Sequence, residues 1–193
     1  MEIKKAESSF VVLAIQHNPS VFFGNFLIES GIIESEKEID LQNTIATPAF
    51  AEINFINQEN INLTPEKLII KGAFGTSPFE KGVKYCKALP YISYKGIGIN
   101  FTYRISGVSI NKFVKDIDAP YIANQLKIVF PHDHGICNLT LKEIKKGEMI
   151  EAKFNFDYKV PEPLKLGKIH VDILEEREKN SNKAEQVIHE IFE

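Results

Sequence analysis

Residues 150–160 read IEAKFNFDYKV, with Ile150, Ala152, Phe154, Phe156, Tyr158 and Val160 apolar and Glu151, Lys153, Asn155, Asp157 and Lys159 polar between them. Eleven residues that alternate without a break describe a β-strand with one face dry and the other in water. A helix would scatter those aromatics around its whole cylinder. Immediately upstream the same rhythm returns twice. Leu126, Ile128 and Phe130 precede the turn PHDHG, and Cys137, Leu139 and Leu141 precede the turn Lys145-Lys146-Gly147. Turns this short force antiparallel neighbours, so residues 122–160 are predicted to form a three-stranded meander.

Residues 97–106 repeat the pattern, with Ile97, Ile99, Phe101, Tyr103 and Ile105 on one side and Gly98, Asn100, Thr102, Arg104 and Ser106 on the other. Residues 10–15, FVVLAI, are apolar on both sides and suit a central strand covered on both faces. Alternation also marks residues 49–55, 61–63, 68–70 and 169–173 as strands.

The clearest helix starts at Ser77-Pro78-Phe79-Glu80, a serine cap with a first-position proline and a glutamate three residues on, and stops before Pro90. Gly82 inside it costs about 1 kcal/mol against alanine, which close packing on a neighbour would explain. Asn18-Pro19 marks a second helix start, with Gly31 as its left-handed stop, although Phe23-Gly24-Asn25 also reads as a hairpin turn. A short helix is predicted over 110–117. The expected fold is therefore α+β: one antiparallel sheet of about six to eight strands, with two to four helices packed on it. It is expected to occupy residues 1–176 as a single domain. Residues 177–193 are expected to be a polar linker and a short amphipathic helix with Val187, Ile188, Ile191 and Phe192 as its sticky face.

A chain of 193 residues with 44% hydrophobic and 25% charged residues suits one soluble domain, and its net charge of −3 is close to neutral. Residues 1–100 carry nine basic and eleven acidic side chains, so no basic arm or acidic tail stands out in that half. Only Arg104 and Arg177 are arginines among 23 basic residues, which weakens a nucleic-acid reading. The N-terminus has no secretory pattern, and no stretch of eighteen apolar residues offers a membrane span. Cys86 and Cys137 are expected to be reduced thiols in a cytoplasmic protein.

Chemistry-bearing clusters are few. His132-Asp133-His134 has metal-ligand types close together, but it falls on a tight turn while Cys137 points into the apolar layer. Arg104 stands among Asn100, Thr102 and Ser106, a polar row able to receive an anion. Gly72 to Gly75 lacks the lysine of a P-loop, Gly96-Ile97-Gly98 leads into a strand where a dinucleotide fingerprint needs a helix, and there is no nucleophile elbow. His17 and His189 read as solvent-facing residues. The sequence thus favours a non-catalytic binding or assembly protein with no cofactor, working through a protein partner or self-association, at a sheet edge or through the tail helix. The alternative is a divalent-metal-dependent hydrolase centred on His132, Asp133 and His134.

Overall fold

The structure is a computed structural model and describes residues 1–22, 25–110, 125–133, 135–159 and 166–193, with the backbone alone at 159 and 166–172. Nine strands form one sheet: β1 (Glu2–Ala14), β2 (Ile45–Ala46), β3 (Ala51–Asn54), β4 (Asn60–Leu63), β5 (Lys67–Ala73), β6 (Tyr94–Ser106), β7 (Gln125–His132), β8 (Gly135–Lys145) and β9 (Met149–Lys159). Their order across the sheet is β2-β3-β4-β5-β1-β6-β9-β8-β7, and every described pairing is antiparallel. The predicted meander β7-β8-β9 is present, and β6 completes its inner side through Ile99↔Phe156 and Phe101↔Phe154. Nine strands exceed the six to eight expected because β2, only two residues long, is too short to show a rhythm.

Among the described residues, three helices accompany the sheet: α1 (Phe26–Glu29), α2 (Ser77–Ala88) and α3 (Leu166–Phe192). The described residues of the Asn18–Gly31 segment include two short helical pieces, a 3-10 turn at Pro19–Phe22 and α1, and Gly31 adopts the expected left-handed conformation at φ 68°. The rival hairpin turn at Phe23-Gly24 lies outside the described residues, as does residues 111–117 of the predicted 110–117 helix.

α2 lies on the sheet face that carries Phe10, Phe101 and Phe156. Its Phe79 meets the Phe10 ring edge-on at 6.1 Å and Phe101 at 6.0 Å. Gly82 is where the sequence placed a close approach: a β-carbon there would fall 1.9 Å from Cδ1 of Phe10. The predicted serine cap is shifted by one residue. Thr76 is the N-cap and makes no side-chain capping bond, while the Ser77 side chain helps to lower the pKa of the Glu59 carboxyl. Glu59 also binds the ammonium of Lys81, which sits 4.2 Å from the Phe55 ring centroid. Burial pushes the Glu59 carboxyl up, but the hydrogen bonds and charge of Lys81, with help from Ser77 and Asn57, hold it below its ordinary value. This buried ion pair clamps α2 to the β3–β4 turn.

The largest departure from the sequence reading is α3. The strand expected over 169–173, the polar linker after it and the short tail helix are one continuous 27-residue helix. The boundary expected at 176/177 falls inside it. Its buried positions are Ile173, Glu176, Asn180, Ser181, Ala184, Val187, Ile188 and Phe192, a stripe with the three-to-four-residue spacing of a helix. Three of those eight positions are polar, so a count of apolar residues does not reveal the stripe. The polar members are satisfied by tyrosines of the sheet: Asn180 donates to the Tyr158 hydroxyl, which donates to Glu176, and the Tyr103 hydroxyl donates to the Ser181 carbonyl at 3.3 Å. Among the described residues no helix is long and apolar enough to cross a membrane.

Candidate functional site

Both helices of substance lie on the same side of the sheet, so the side chains that point away from them form an open face. On β1 the sequence suggested cover on both sides, but Leu13 is 43% exposed while Phe10 and Val12 are fully buried. The registers align open-face residues of different strands into transverse rows. One row reads Lys4, Arg104, Glu151, Lys142, Gln125 across β1-β6-β9-β8-β7. The next reads Glu7, Thr102, Lys153, Thr140, Lys127 across the same strands. Strand spacing of about 4.8 Å makes each row roughly 19 Å long.

These two rows hold five cations against two carboxylates. Lys153 bonds Glu151 at 3.0 Å, an exposed pair of small energetic weight. Lys4, Arg104, Lys127 and Lys142 are exposed on this hydrogen-bonded scaffold. Arg104, the residue singled out in the sequence, lies among these cations.

A third row is made of amides. Asn54, Asn60, Lys71, Ser9, Asn100, Asn155 and Asn138 follow one another across seven strands. Asn60 donates to Asn54 at 2.8 Å and Asn100 donates to the Ser9 hydroxyl at 3.2 Å. Asn138 and Asn155 both donate to Asp157. Burial raises the Asp157 carboxyl above its ordinary value, and those two amides with the nearby His132 only partly oppose the shift. Oδ1 of Asn100 is enclosed and has no hydrogen-bond partner among the described residues. A buried acceptor left unbonded is costly, so the amide row carries a local energetic penalty at Asn100. Gly98 beside it keeps the strip shallow: a β-carbon there would lie 3.4 Å from Oδ1 of Asn155 and 3.5 Å from that of Asn100.

The other sequence candidates sit elsewhere. His132 points to the helix side, edge-on to Tyr158 at 4.7 Å and to Phe156 at 5.5 Å, with Nε2 3.3 Å from the Asp157 carbonyl. Asp133 is in the exposed turn between β7 and β8, and His134 lies outside the described residues. No group of three or more His, Cys, Asp or Glu among the described residues is placed to hold a metal ion. Both cysteines are free and buried, and burial pushes each thiol up to about 12, so neither is a nucleophile near neutral pH. Val187, Ile188 and Phe192 are buried in the chain's own core, and Ile191 packs against it partly covered. Among the described residues, the sticky face of the tail is used internally.

His17, expected in solvent, is 1% exposed: Nδ1 lies 3.0 Å from the Tyr85 hydroxyl, and burial lowers its pKa below 6.5. The sequence reading missed Lys4, Lys127, Lys142 and Lys153 as partners of Arg104. Each was visible as the polar half of a strand, but only the register brings them together.

No protein-family model matches this chain, and no curated protein matches it in sequence.

Proposed function

We propose that this protein is a non-catalytic binding and assembly protein whose working surface is the open face of its sheet, and that its partner is a protein presenting acidic side chains there. The observation that carries this reading is the segregation of charge: five cations against two carboxylates in adjacent rows, within a chain of net charge −3. An excess of positive charge on one face steers an oppositely charged partner and sets its orientation. No aromatic side chain takes part in the rows, so the stacking platform used for single-stranded nucleic acid is missing from them. The second reading, a metal-dependent hydrolase at His132, Asp133 and His134, has no donor set to build on among the described residues.

The test is retention on immobilised polyglutamate beside immobilised single-stranded DNA of equal charge density. The expected result is binding to polyglutamate that weakens steeply between about 20 and 200 mM salt, as screening predicts for exposed charges. The double variant Arg104→Glu, Lys142→Glu should lose that binding while melting at the wild-type temperature. No retention at low salt, or tighter binding to DNA, would overturn the assignment.

A further inference from the structure

The charge on the open face is arranged around one residue. Glu151 lies on β9, the central strand of the five that carry the two charged rows. The residues opposed to it on the two neighbouring strands are both cations, Arg104 on β6 and Lys142 on β8. Directly opposed residues on one face of a sheet have β-carbons roughly 5 Å apart, which is within reach of both long side chains. A third cation comes from its own strand, where Lys153 bonds Oε1 of Glu151 at 3.0 Å. The Glu151 side chain is 19% exposed against 60% for that of Lys153, and Arg104 and Lys142 are exposed as well. Arg104 and Lys142 make no ion pair among the described residues. Three cations therefore surround one carboxylate, which bonds one of them.

The other carboxylate of the two rows is placed differently. Glu7 lies on β1, and the residues opposed to it are Ala73 on β5 and Thr102 on β6, neither of them charged. Within its row Thr102 separates it from Lys153, a span of two strand spacings or roughly 10 Å. That is about the screening length at 0.1 M salt. Two residues of equal charge in adjacent rows thus stand in unequal settings, one enclosed by cations and one at the end of its row of charges.

We propose that Glu151 is a built-in competitor for the open face: its carboxylate occupies the place that a carboxylate of an acidic partner takes among Arg104, Lys142 and Lys153, and the partner binds by displacing it. The inference rests on the reading of that face as a surface for acidic proteins. It adds which residue restrains the binding and where on the face the contact centres. Displacement exchanges one exposed ion pair for another and gains little by itself. Net attraction therefore requires a partner with several carboxylates, the further ones reaching Lys4 on β1 and Lys127 on β7. An isolated carboxylate is not selected, and a cluster is.

The experiment titrates fluorescent polyglutamate with the full chain and two charge-matched variants, Glu151→Gln and Glu7→Gln, at about 0.1 M salt, where screening confines each charge to its neighbours. Glu151→Gln is expected to bind about threefold tighter or more, a gain of the size an exposed ion pair sets. Glu7→Gln removes the same charge and is expected to gain clearly less. Equal gains for the two variants overturn the proposal, because net charge alone would then account for both. If wild type binds polyglutamate and Glu151→Gln binds no tighter, the competitor is overturned while the reading of the face stands. If no form binds even at about 20 mM salt, where screening is weakest, both fall together. A second measurement needs no substitution. The side-chain carboxyl carbon signal of Glu151 in labelled wild-type protein should move on saturation with polyglutamate, and that of Glu7 should move less. A stationary Glu151 signal in the saturated complex overturns the displacement.

Discussion

Phe154 and Lys153 are neighbours on β9 and live in different media. The Phe154 ring is buried, meets Tyr103 edge-on at 5.8 Å and stacks along Phe156 at 6.2 Å. The Lys153 side chain is 60% exposed and touches Glu151 across a pair of little energetic weight. The same backbone hydrogen bonds carry both residues, so the difference belongs to the two faces. The helix-covered face holds the apolar area whose removal from water drives folding. The open face contributes the pleat and side-chain hydrogen bonds such as those of Asn138 and Asn155 to Asp157, and buries far less apolar area.

The sharpest way to break this comparison is to truncate both neighbours. Phe154→Ala should cost about 3–5 kcal/mol in chemical denaturation, while Lys153→Ala should cost less than about 1 kcal/mol. Similar losses for the two would mean that the open face is covered and the division of labour is wrong. A smaller effect sharpens the description of the covered face. Gly82→Ala improves helix propensity by about 1 kcal/mol, yet its methyl would collide with the Phe10 ring. The collision should win and lower stability by about 1–3 kcal/mol, the range for overpacking. A stabilised Gly82→Ala protein would show that α2 can lift from the sheet.

The smallest expected effect is in the pH dependence of the covered face. His17 is buried neutral between Tyr85 and Tyr94, with its folded-state pKa below the ordinary 6.5. Above 6.5 both folded and unfolded chains leave it unprotonated. As pH falls from 6.5 towards the folded value, the unfolded chain takes up a proton that the folded chain refuses. Stability should therefore fall through that window, by at most about 1.4 kcal/mol per pH unit from this residue. His17→Gln should flatten that part of the stability profile. An unchanged slope in the variant would place the histidine in solvent.

Much of the covered face was legible before any coordinates. The rhythm of residues 97–106 and 150–160 identified β6 and β9 and the side of each that is dry. Ser77-Pro78 announced α2, and Gly82 announced its close approach to a neighbour. Two local readings failed for related reasons. Residues 10–15 looked apolar on both sides, but Leu13 is 43% exposed. Residues 169–182 looked like a strand and a linker because the buried stripe of α3 includes Glu176, Asn180 and Ser181. Those groups are tolerable inside only because Tyr103 and Tyr158 reach them, a pairing across more than seventy residues in the first case.

The sequence by itself determined the α+β class, the antiparallel meander and which half of each long strand is polar, because those follow from side-chain periodicity along a few consecutive residues. Only the tertiary structure decided which polar halves meet. Arg104 joins Lys4, Lys142, Lys153 and Lys127 through registers between distant strands. Such convergence depends on long-range pairing and on what covers each face, and local alternation carries no information about either.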